Sequence, residues 1–525
     1  MGKQTFSTIM ACTGASYGAV TAQMMSRGAM DYSLTGEGEV TYWRMKHDTC
    51  TNFALEIIGQ DMQNVQFGKT SSVTLTRTGD LIHRQFLSID LPGLFPIMED
   101  TALVNQPYAY VLDEDVTDGT NIATDATGEI DNVYMPQAEL DTGLTGTIRG
   151  FYAHYTNAVG FAMIKAASLV IGNTVMDTLE GEYMYMLDEL MGKSGKRLQD
   201  QIGKFETREQ LIAYSRLPNR LYVPLPFWYT QVAGNALSMV SMSLNGVILN
   251  VTFRELKDLI IVSNANVKVN KATATGADSG VLLSAQDLSV CVMTEFVFLD
   301  LGERAKFNEG MFDQLITQMQ ARPNTGMIGN ATLQINLPFN HPVIELIFAV
   351  RLARNAEANK WFDFSRVAPS SGRGYASDKP ASILPPLMPQ TEGTFDALNT
   401  VVPDDAGRYA LNDYVTVHAD PIVSVSLRVN SIPRFNTQEA KFFRQAIPGM
   451  HHSAIPKNFI YNYSFALFPE EPSPSASLNW GRVDSVDMTW TMHPSLIGEA
   501  LDCFVYARNW NVFSYTDHTA GTLFL

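Results

Sequence analysis

The chain carries the same order of strands and turns twice, over two stretches that each exceed two hundred residues. In the first half, the alternating run 72–76 is followed after a turn by the apolar-rich run 81–91. In the second half, the alternating run 332–337 is followed after a turn by the apolar-rich run 342–352. The offset of roughly 235–260 residues is far above the ~20–50 residues of a solenoid repeat, so the pattern indicates a duplicated domain.

Two further pairs of segments keep the same order. The run 168–171 and its turn match 424–429, and the segment 220–253 matches 458–492. Within the last segment, residues 485–492 alternate strictly, with Val, Met, Trp and Met on one side and Ser, Asp, Thr and Thr on the other. A period of two with one apolar face predicts a half-buried antiparallel strand.

The composition favours extensive β-structure. Charged residues make up only 17% of the chain, and Thr, Ser, Val, Phe, Tyr and Asn are abundant. Branched and aromatic side chains pack well on a pleated sheet, and a jelly roll protects its sheet edges by packing two sheets together. We therefore predict an all-β fold of two tandem eight-stranded antiparallel jelly-roll (β-sandwich) domains, with long loop insertions and a few short helices.

Breaks in the pattern give the expected domain bounds. Residues 1–26 have few large apolar side chains and predict an N-terminal arm. The first jelly-roll domain is expected over 27–255, with an insertion at about 93–147. The second is expected over 256–525, with an insertion at about 355–419.

Helical spacing of apolar residues and the place of segments in the repeated order predict four short helices. They lie at 181–190, 206–215, 308–320 and 438–445. The segment 221–253 is free of charge but contains Pro, Gly and Asn, so we interpret it as strands and turns and not as a membrane span.

Charge and cysteine content exclude several classes of protein. The formal charge is −17, and no Lys or Arg occurs between Gln85 and Ile148, which argues against direct nucleic-acid binding. The four cysteines are scattered without a C-x-x-C pair, as is typical of a reducing compartment. The N-terminus lacks the basic-then-apolar pattern of a secretion signal.

Two short motifs resemble parts of catalytic sites. Asp141-Thr142-Gly143 matches the aspartic-protease triplet, but that chemistry needs two carboxylates that share a proton, and the triplet has no second copy. The run 192–194 resembles the end of a P-loop, but Leu187 stands where the loop needs glycine. Neither motif supports catalysis.

Histidines provide the remaining candidates for a metal site. His341 and Glu345 have the spacing of a cupin-like site, but His341 has no nearby histidine partner. The adjacent His451 and His452 would point in opposite directions on an extended chain, and either could lie in a subunit contact. We therefore predict no catalytic, cofactor or metal site and no enzymatic activity.

Three asparagines lie in N-glycosylation sequons: Asn250, Asn330 and Asn462. Glycosylation requires entry into the secretory pathway, and the missing signal argues against it. Asn462 also lies in a predicted core strand. We interpret the three sequons as accidental.

An ordered set of motifs resembles one known family. The runs 27–36 and 51–56, the segment 222–228 (YVPLPFW), the segment 340–346 (NHPVIEL) and the block 464–475 occur in the order found in the major capsid proteins of nucleocytoplasmic large DNA viruses. This family places a basic cluster before the run 51–56, and in this chain the nearly neutral sequence 46–50 stands there instead.

The resemblance implies a structural role in a virion. It implies a double jelly roll that forms a homotrimer, and this pseudo-hexameric capsomer tiles an icosahedral capsid. The implied partners are the protein itself, neighbouring capsomers, and minor capsid and penton proteins near an internal membrane, without direct contact to nucleic acid. It also implies that the two insertions face outward, that the arm meets minor capsid proteins, and that assembly takes place in the host cell, in the cytoplasm.

Two alternatives follow from the residues alone. Aromatic residues in the insertions, Tyr108, Tyr110 and Trp361, would suit a carbohydrate-binding jelly-roll protein. A hydrolase built around Asp141 is the other alternative.

Overall fold

The structure is a computed structural model. It describes residues 51–96, 153–192, 198–205, 208–262, 268–269, 280–283, 288–309, 311–323, 326–366 and 420–524, together with 21–22, 24–26, 43, 45, 47 and 49–50. The chain divides into two compact units, Met1–Asn52 and Phe53–Leu525. The second unit contains all the strands that the structure describes.

Fourteen strands of the described ranges precede residue 300. They are β1 (Phe53–Asp61), β2 (Thr70–Thr74), β3 (Leu81–Leu91), β4 (Leu94–Pro96), β5 (Ala153–Tyr155), β6 (Ile164–Ile171), β7 (Thr174–Glu180), β8 (Asn219–Pro224), β9 (Leu237–Ser238), β10 (Val247–Phe253), β11 (Ile260–Val262), β12 (Lys268–Val269), β13 (Gly280–Leu283) and β14 (Ser289–Leu299).

Eleven strands follow residue 300 among the described residues. They are β15 (Phe312–Ala321), β16 (Met327–Ile328), β17 (Thr332–Asn336), β18 (Pro342–Leu352), β19 (Ile422–Val429), β20 (Ile432–Glu439), β21 (Ile460–Ser464), β22 (Leu478–Asn479), β23 (Val486–Met492), β24 (Ala500–Thr516) and β25 (Thr519–Thr522).

The main strands form two sandwiches of the same design. The first sandwich has sheets ordered β1-β14-β3-β8 and β2-β10-β6-β7, and the second has sheets ordered β15-β24-β18-β21 and β17-β23-β19-β20. All neighbours in these four sheets are antiparallel. Each sandwich thus has eight main strands in the same order, which confirms the predicted double jelly roll and its duplication.

The first sandwich extends beyond the predicted boundary at residue 255. Strand β14 lies between β1 and β3 and pairs with both, from Phe53↔Leu299 to Asp61↔Cys291 on one side and from Ser289↔Asp90 to Val297↔Leu81 on the other. The prediction assigned this strand to the second domain, because its apolar run at 296–299 carries no sign of its distant partners. The ladder of hydrogen bonds corrects that assignment.

Eight short α-helices connect the strands in the described residues. They are α1 (Val159–Met163), α2 (Gly181–Met191), α3 (Gln199–Ile202), α4 (Arg208–Arg216), α5 (Trp228–Gln231), α6 (Leu301–Glu309), α7 (Ala353–Glu357) and α8 (Ile447–His451). A π-helical turn, Phe442–Ala446, leads into α8. None of these helices is long and apolar enough to cross a lipid bilayer.

Three of the four predicted helices are confirmed, and one is wrong. Helices α2 and α4 lie where expected, and the helix predicted near 438–445 begins slightly later, in the π-helical turn. Most of the segment predicted as a helix at 308–320 lies instead in strand β15 (Phe312–Ala321), which pairs with β24 along its whole length, and its first two residues end α6. Tertiary pairing overrides local periodicity here, because the ladder with β24 holds this edge strand in an extended conformation along its whole length.

The core of each sandwich is built from the inward positions of its strands. Trp490 on β23 is fully buried, and its ring stacks on Phe348 of β18 with centroids 5.5 Å apart. The ring of Tyr461 on β21 also stacks on Phe348, again with centroids 5.5 Å apart. The predicted alternation in 485–492 is confirmed, since Val486, Met488, Trp490 and Met492 are all buried.

Short strands form the bases of the long insertions. Strand β4, before the first insertion, pairs with β13, and β5, after it, pairs with β11. The body of the first insertion, 97–152, lies outside the described residues, as do 367–419 of the second insertion and most of the arm at 1–26.

Candidate functional site

The two sandwiches contact each other along one sheet of the second sandwich. The edge strand of that sheet, β15, lies against β7 of the first sandwich. Gln318 Nε2 donates to the carbonyl of Met176 at 2.6 Å, and the backbone N–H of Met319 lies 3.5 Å from Oδ1 of Asp177. Burial raises the pKa of Asp177 to about 7, although the backbone N–H groups of Met319 and Thr178 favour its charged form. The free edge of β15 is therefore capped from within the same chain.

A second element of the first sandwich, the segment 228–236, covers the same edge. Gln314 Nε2 donates to the carbonyl of Gly234 at 3.1 Å, and Asn235 Nδ2 donates to the carbonyl of Leu315 at 3.3 Å. The ring of Trp228 packs on Phe513 of β24, with centroids 5.6 Å apart. Polar side chains and aromatic packing thus act together at this contact.

Helix α2 is the third covering element, and it begins where β7 ends. Tyr506 of β24 donates its hydroxyl to Glu180 at 2.8 Å, and its ring lies 5.3 Å from that of Tyr183. At the far end of α2, the N–H of Ala454 donates to the carbonyl of Leu190 at 3.0 Å. Strand β7, segment 228–236 and helix α2 are called the covering elements below.

A buried ion cluster ties the two sandwiches together behind this contact. Glu182 Oε1 accepts from Arg254 at 2.7 Å and from Arg351 of the second sandwich at 3.3 Å, and Arg351 also pairs with Asp502 at 2.9 Å. Burial alone would raise the pKa of Glu182, but the two guanidinium groups outweigh burial and lower it. The carboxylate therefore stays charged and bridges the sandwiches.

The equivalent sheet of the first sandwich has a largely exposed edge strand. On β1, the side chains of Phe53, Leu55 and Ile57 are 52%, 54% and 51% exposed and lie on one face. Six of the first seven positions of β1 are exposed or nearly so, whereas eight of ten positions on β15 are half-buried. This face of β1 is called the bare face below.

The far side of the second sandwich carries the counterparts of the covering elements. Strand β20 holds the place of β7, the helical segment 442–451 holds that of α2, and the loop 465–476 holds that of 228–236. These are called the far-side elements. They expose large apolar side chains: Ile432, Phe442, Met450, Leu467 and Phe468, each between 38% and 69%. Exposed apolar patches of this kind mark protein interaction sites.

A buried polar network holds the far-side loop in place. Glu345 and His452 have fully buried side chains, and His452 Nε2 lies 2.8 Å from Glu345 Oε2 as an ion pair that is off the line of a straight hydrogen bond. Asn462 Nδ2 donates to the same carboxylate at 2.8 Å, and Arg508 Nη1 lies 3.3 Å from its other oxygen.

The other ring nitrogen of His452 reaches the loop. His452 Nδ1 lies 3.1 Å from Glu470 Oε1, and the N–H of Ser453 donates to the same oxygen at 2.7 Å. The neighbouring His451 contacts the carbonyl of Leu467 at 3.0 Å. Because carboxylates face both ring nitrogens, His452 is best satisfied as an imidazolium.

The charges in this network shift each other's protonation. Burial would raise the pKa of Glu345, but His452 and Arg508 outweigh it and lower the pKa to about 2. Burial would lower the pKa of His452, but Glu345 and Glu470 raise it to about 9. The charged carboxylate of Glu345 thus stabilises the fold fully at pH values above its ordinary pKa of 4.5. The protonated ring of His452 stabilises it fully at pH values below its ordinary pKa of 6.5.

A pH series on His452→Gln tests this network. We expect the wild type to exceed the variant in free energy of unfolding by about 3 kcal/mol near pH 6, with the difference shrinking as the pH rises from 6.5 through 9. Denaturant titrations at fixed protein concentration measure it. His451→Gln is the matched control, and a difference for His452→Gln that stays constant up to pH 10 would contradict the assignment.

The structure brings some of the sequence-predicted residues together and separates others. His341, at φ 65°, takes no part in the Glu345 network, whereas His452 pairs with Glu345. Among the described residues, no group of three His, Cys, Asp or Glu side chains is placed to hold a metal ion. Arg508 and Glu470 belong to the network but were not predicted, because only the fold brings them to His452.

The three sequons lie in different settings. Asn462 is fully buried with its Nδ2 bonded to Glu345, so the folded protein cannot carry a glycan there. Asn250 is half-buried on β10, and Asn330 is exposed before β17. That Asn250 and Asn330 carry no glycan stays a prediction.

Of the residues that suggested the two alternative functions, only Trp361 lies in the part of the chain that the structure describes. Trp361 is stacked under Arg254 at 3.9 Å and donates Nε1 to the carbonyl of Asp258 at 2.6 Å, so its ring is not free to stack on a sugar. Tyr108, Tyr110 and Asp141 lie outside the described residues.

Comparison with known proteins identifies the class. A family model described as the large eukaryotic DNA virus major capsid protein matches residues 303–521, and one described as the major capsid protein N-terminus matches 41–109 and 130–300. Their junction lies just after β14, where the first sandwich ends.

Relatives and a solved structure span nearly the whole chain. The major capsid protein of Chrysochromulina ericina virus is 24% identical over 95% of this chain and 98% of its own length. That of Phaeocystis pouchetii virus is 26% identical over the same shares. A chain of the PBCV-1 virus capsid superposes with a TM-score of 0.63 at 17% identity, covering 92% of this chain and all of that chain.

The two sandwiches and these matches define a double jelly-roll capsid protein. The chain belongs to the major capsid protein family of the nucleocytoplasmic large DNA viruses. It is a structural subunit of the virion capsid that self-assembles into the capsid lattice, and it is not an enzyme.

Proposed function

We propose that three copies of this chain form a pseudo-hexameric capsomer that tiles an icosahedral capsid. The observation that carries the proposal is that two sandwiches of equal design lie side by side in one subunit. Three such subunits present six similar sides, which is the geometry that fills a flat lattice. The bare face and the far-side elements supply apolar surface for contacts between subunits.

We also propose the bounds of the two domains and a common location for their insertions. The first jelly-roll domain ends near residue 300, after β14, and the second follows it. The base of the second insertion touches the base of the first, since Asn359 Nδ2 donates to the carbonyl of Ile260 at 2.8 Å and Ile260 pairs with Tyr155. This proximity supports a common location for both insertions, on the outer face of the capsid.

Contacts beyond the capsomer belong to the same proposal. Neighbouring capsomers, penton proteins and minor capsid proteins above an internal membrane are the proposed partners, with the arm at 1–26 meeting the minor proteins. Assembly is proposed to take place in the host cytoplasm. The formal charge of −17 supports the absence of direct contact with nucleic acid.

Sedimentation equilibrium of the purified protein tests the trimer. The expected result is a single species of three times the 58.1 kDa chain mass across a wide range of protein and salt concentration. A monomer that persists at all concentrations would overturn the proposal.

A further inference from the structure

We propose that Asn245 is a site of spontaneous deamidation, which Arg77 promotes and which loosens the C-terminal hairpin from the first sandwich. The hairpin consists of the end of β24, the turn at Asp517 and His518, and β25. The reaction converts the side-chain amide of Asn245 into a carboxylate, and its co-reactant is water. The inference concerns a covalent change within one chain and does not depend on the proposed trimer.

The first observation is the residue that follows Asn245. Asn245-Gly246 is the one Asn-Gly pair in the 525-residue sequence. Deamidation begins when the main-chain nitrogen of the next residue attacks the side-chain Cγ of asparagine, and glycine permits this most readily because it has no Cβ and a flexible backbone. Gly246 is exposed, and no atom of the described residues lies within 4 Å of the place where its Cβ would stand. Space and water are therefore available at the reacting peptide.

The second observation is a fixed cation on the same peptide. Arg77 Nη2 donates to the main-chain carbonyl oxygen of Asn245, and the guanidinium is held there by the carbonyls of Met239 and Met242, at 3.1 and 2.7 Å. When the nitrogen of Gly246 loses its proton, the negative charge spreads onto that carbonyl oxygen. A preorganised donor at the atom where charge develops lowers the barrier to such a step. Arg77 thus stabilises the anion that attacks.

The third observation concerns the N–H that must lose its proton. The N–H of Gly246 donates to no main-chain carbonyl of the described residues, whereas its own carbonyl accepts from the N–H of Gly172 at 3.1 Å. Gly172, at φ 57°, also lies beside the side chain of Asn245, since a Cβ on it would stand 3.1 Å from Cγ of Asn245. The turn at Gly172 therefore contacts both reacting residues and leaves the attacking nitrogen free.

The reaction proceeds in two steps. The nitrogen of Gly246 forms a bond to Cγ of Asn245, the bond from Cγ to Nδ2 breaks, and Nδ2 leaves as ammonia with the proton that the Gly246 nitrogen has lost. Water then adds to one of the two carbonyls of the resulting succinimide ring and opens it. Opening at one carbonyl gives aspartate, and opening at the other gives isoaspartate, which has an extra methylene in the main chain. No oxidant, reductant or cofactor takes part.

The fourth observation is what the amide of Asn245 holds. Its Nδ2 donates to the carbonyl of Ala520 on β25 at 3.1 Å, and the N–H of Leu244 donates to the carbonyl of His518 at 3.1 Å. A carboxylate is an acceptor without a donor, so at position 245 its oxygen would face the carbonyl oxygen of Ala520 with no hydrogen between them. The hairpin thus loses one of its two hydrogen bonds to residues 244–245 and gains a repulsive contact.

Peptide mapping of aged protein tests the modification. The purified full chain is incubated at mildly alkaline pH, and mass spectrometry follows the conversion of each asparagine. We expect Asn245 to convert first, with aspartate and isoaspartate as products. Gly246→Ala is the matched variant, because the open space at its Cβ position allows it to fold, and it should lose most of this conversion. An Asn245 that stays intact, or that converts equally fast in Gly246→Ala, would overturn the inference.

The variant Arg77→Met tests the role of the cation. In the native state it should convert Asn245 about 10-fold more slowly than the wild type, since the developing charge loses its donor. In denaturant the two proteins should convert at the same rate, because the fold no longer holds residue 77 beside the peptide. Arg77→Lys keeps the charge and should convert at an intermediate rate. A native Arg77→Met protein that converts as fast as the wild type, or faster, would overturn the role of Arg77.

Hydrogen exchange tests the structural consequence. Asn245→Asp reproduces one product, and we expect its amides in 517–524 to exchange faster than those of the wild type, while the amides of β23 stay protected and show that the core is folded. Asn64→Asp adds the same charge at an exposed residue before β2 and should leave 517–524 unchanged. Equal exchange in 517–524 for Asn245→Asp and the wild type would show that the amide does not hold the hairpin.

Discussion

Replacing Glu182 with alanine is expected to lower the free energy of unfolding by about 3–5 kcal/mol, among the largest effects of any single substitution in this protein. The carboxylate lies between Arg254 and Arg351, at 2.7 and 3.3 Å, and all three side chains are less than 10% exposed. Its removal leaves two buried guanidinium groups with too little negative charge, since Asp502 alone then faces Arg351. Denaturant titration at fixed protein concentration measures the loss.

The control for this substitution is an exposed carboxylate. Glu255→Ala breaks an ion pair with Lys257 at 2.7 Å in which both side chains are more than half exposed. Surface pairs of this kind contribute little to stability because solvent screens them, so the control should change little. Equal losses for Glu182→Ala and Glu255→Ala would contradict the bridging role of the cluster.

Replacing Gly181 with alanine is expected to destabilise the fold by about 3 kcal/mol, at the upper end of overpacking effects. A Cβ at this position would lie 2.4 Å from the carbonyl oxygens of both Ile164 and Phe161. Both obstacles are backbone atoms, so no side-chain rotation relieves the clash. Helix α2 would have to shift, together with its contacts to the second sandwich.

Gly302→Ala is the matched control, because it also places alanine near the start of a helix. Nothing lies within 4 Å of its Cβ position on α6. Alanine favours helix over glycine by up to about 1 kcal/mol, so this variant should be as stable as the wild type or slightly more so. A Gly181→Ala protein with wild-type unfolding would show that α2 is not fixed as described.

Much of the fold follows from local sequence patterns. The alternation at 485–492 and the apolar runs at 81–91 and 342–352 each became a strand with the expected burial. These signals survive because they depend on period and burial within one strand. The duplication could be recognised for the same reason, since it repeats such local signals in order.

Features that depend on distant partners were missed. The run 308–320 has helical spacing, but from residue 312 onward it pairs with β24, some two hundred residues away in the chain. Strand β14 joins the first sandwich across a long connection. No local pattern reports either partner.

The exposed apolar face of β1 and the buried network around His452 were only partly visible in the sequence. The apolar alternation of Phe53, Leu55 and Ile57 is plain in the sequence, but its exposure is a property of the edge position of β1. His452 and Glu345 were each noted as candidate metal ligands, and the fold pairs them with Arg508 as a buried ion network instead. A sequence shows which side chains are available, whereas the strand order decides which of them meet.

Electron microscopy of the purified oligomer is the most direct test of the central claim, that two equivalent sandwiches per chain build a pseudo-hexameric trimer. The account predicts class averages with threefold symmetry and six lobes of similar size around the axis. Averages with twofold symmetry, or with a number of lobes other than six, would contradict it.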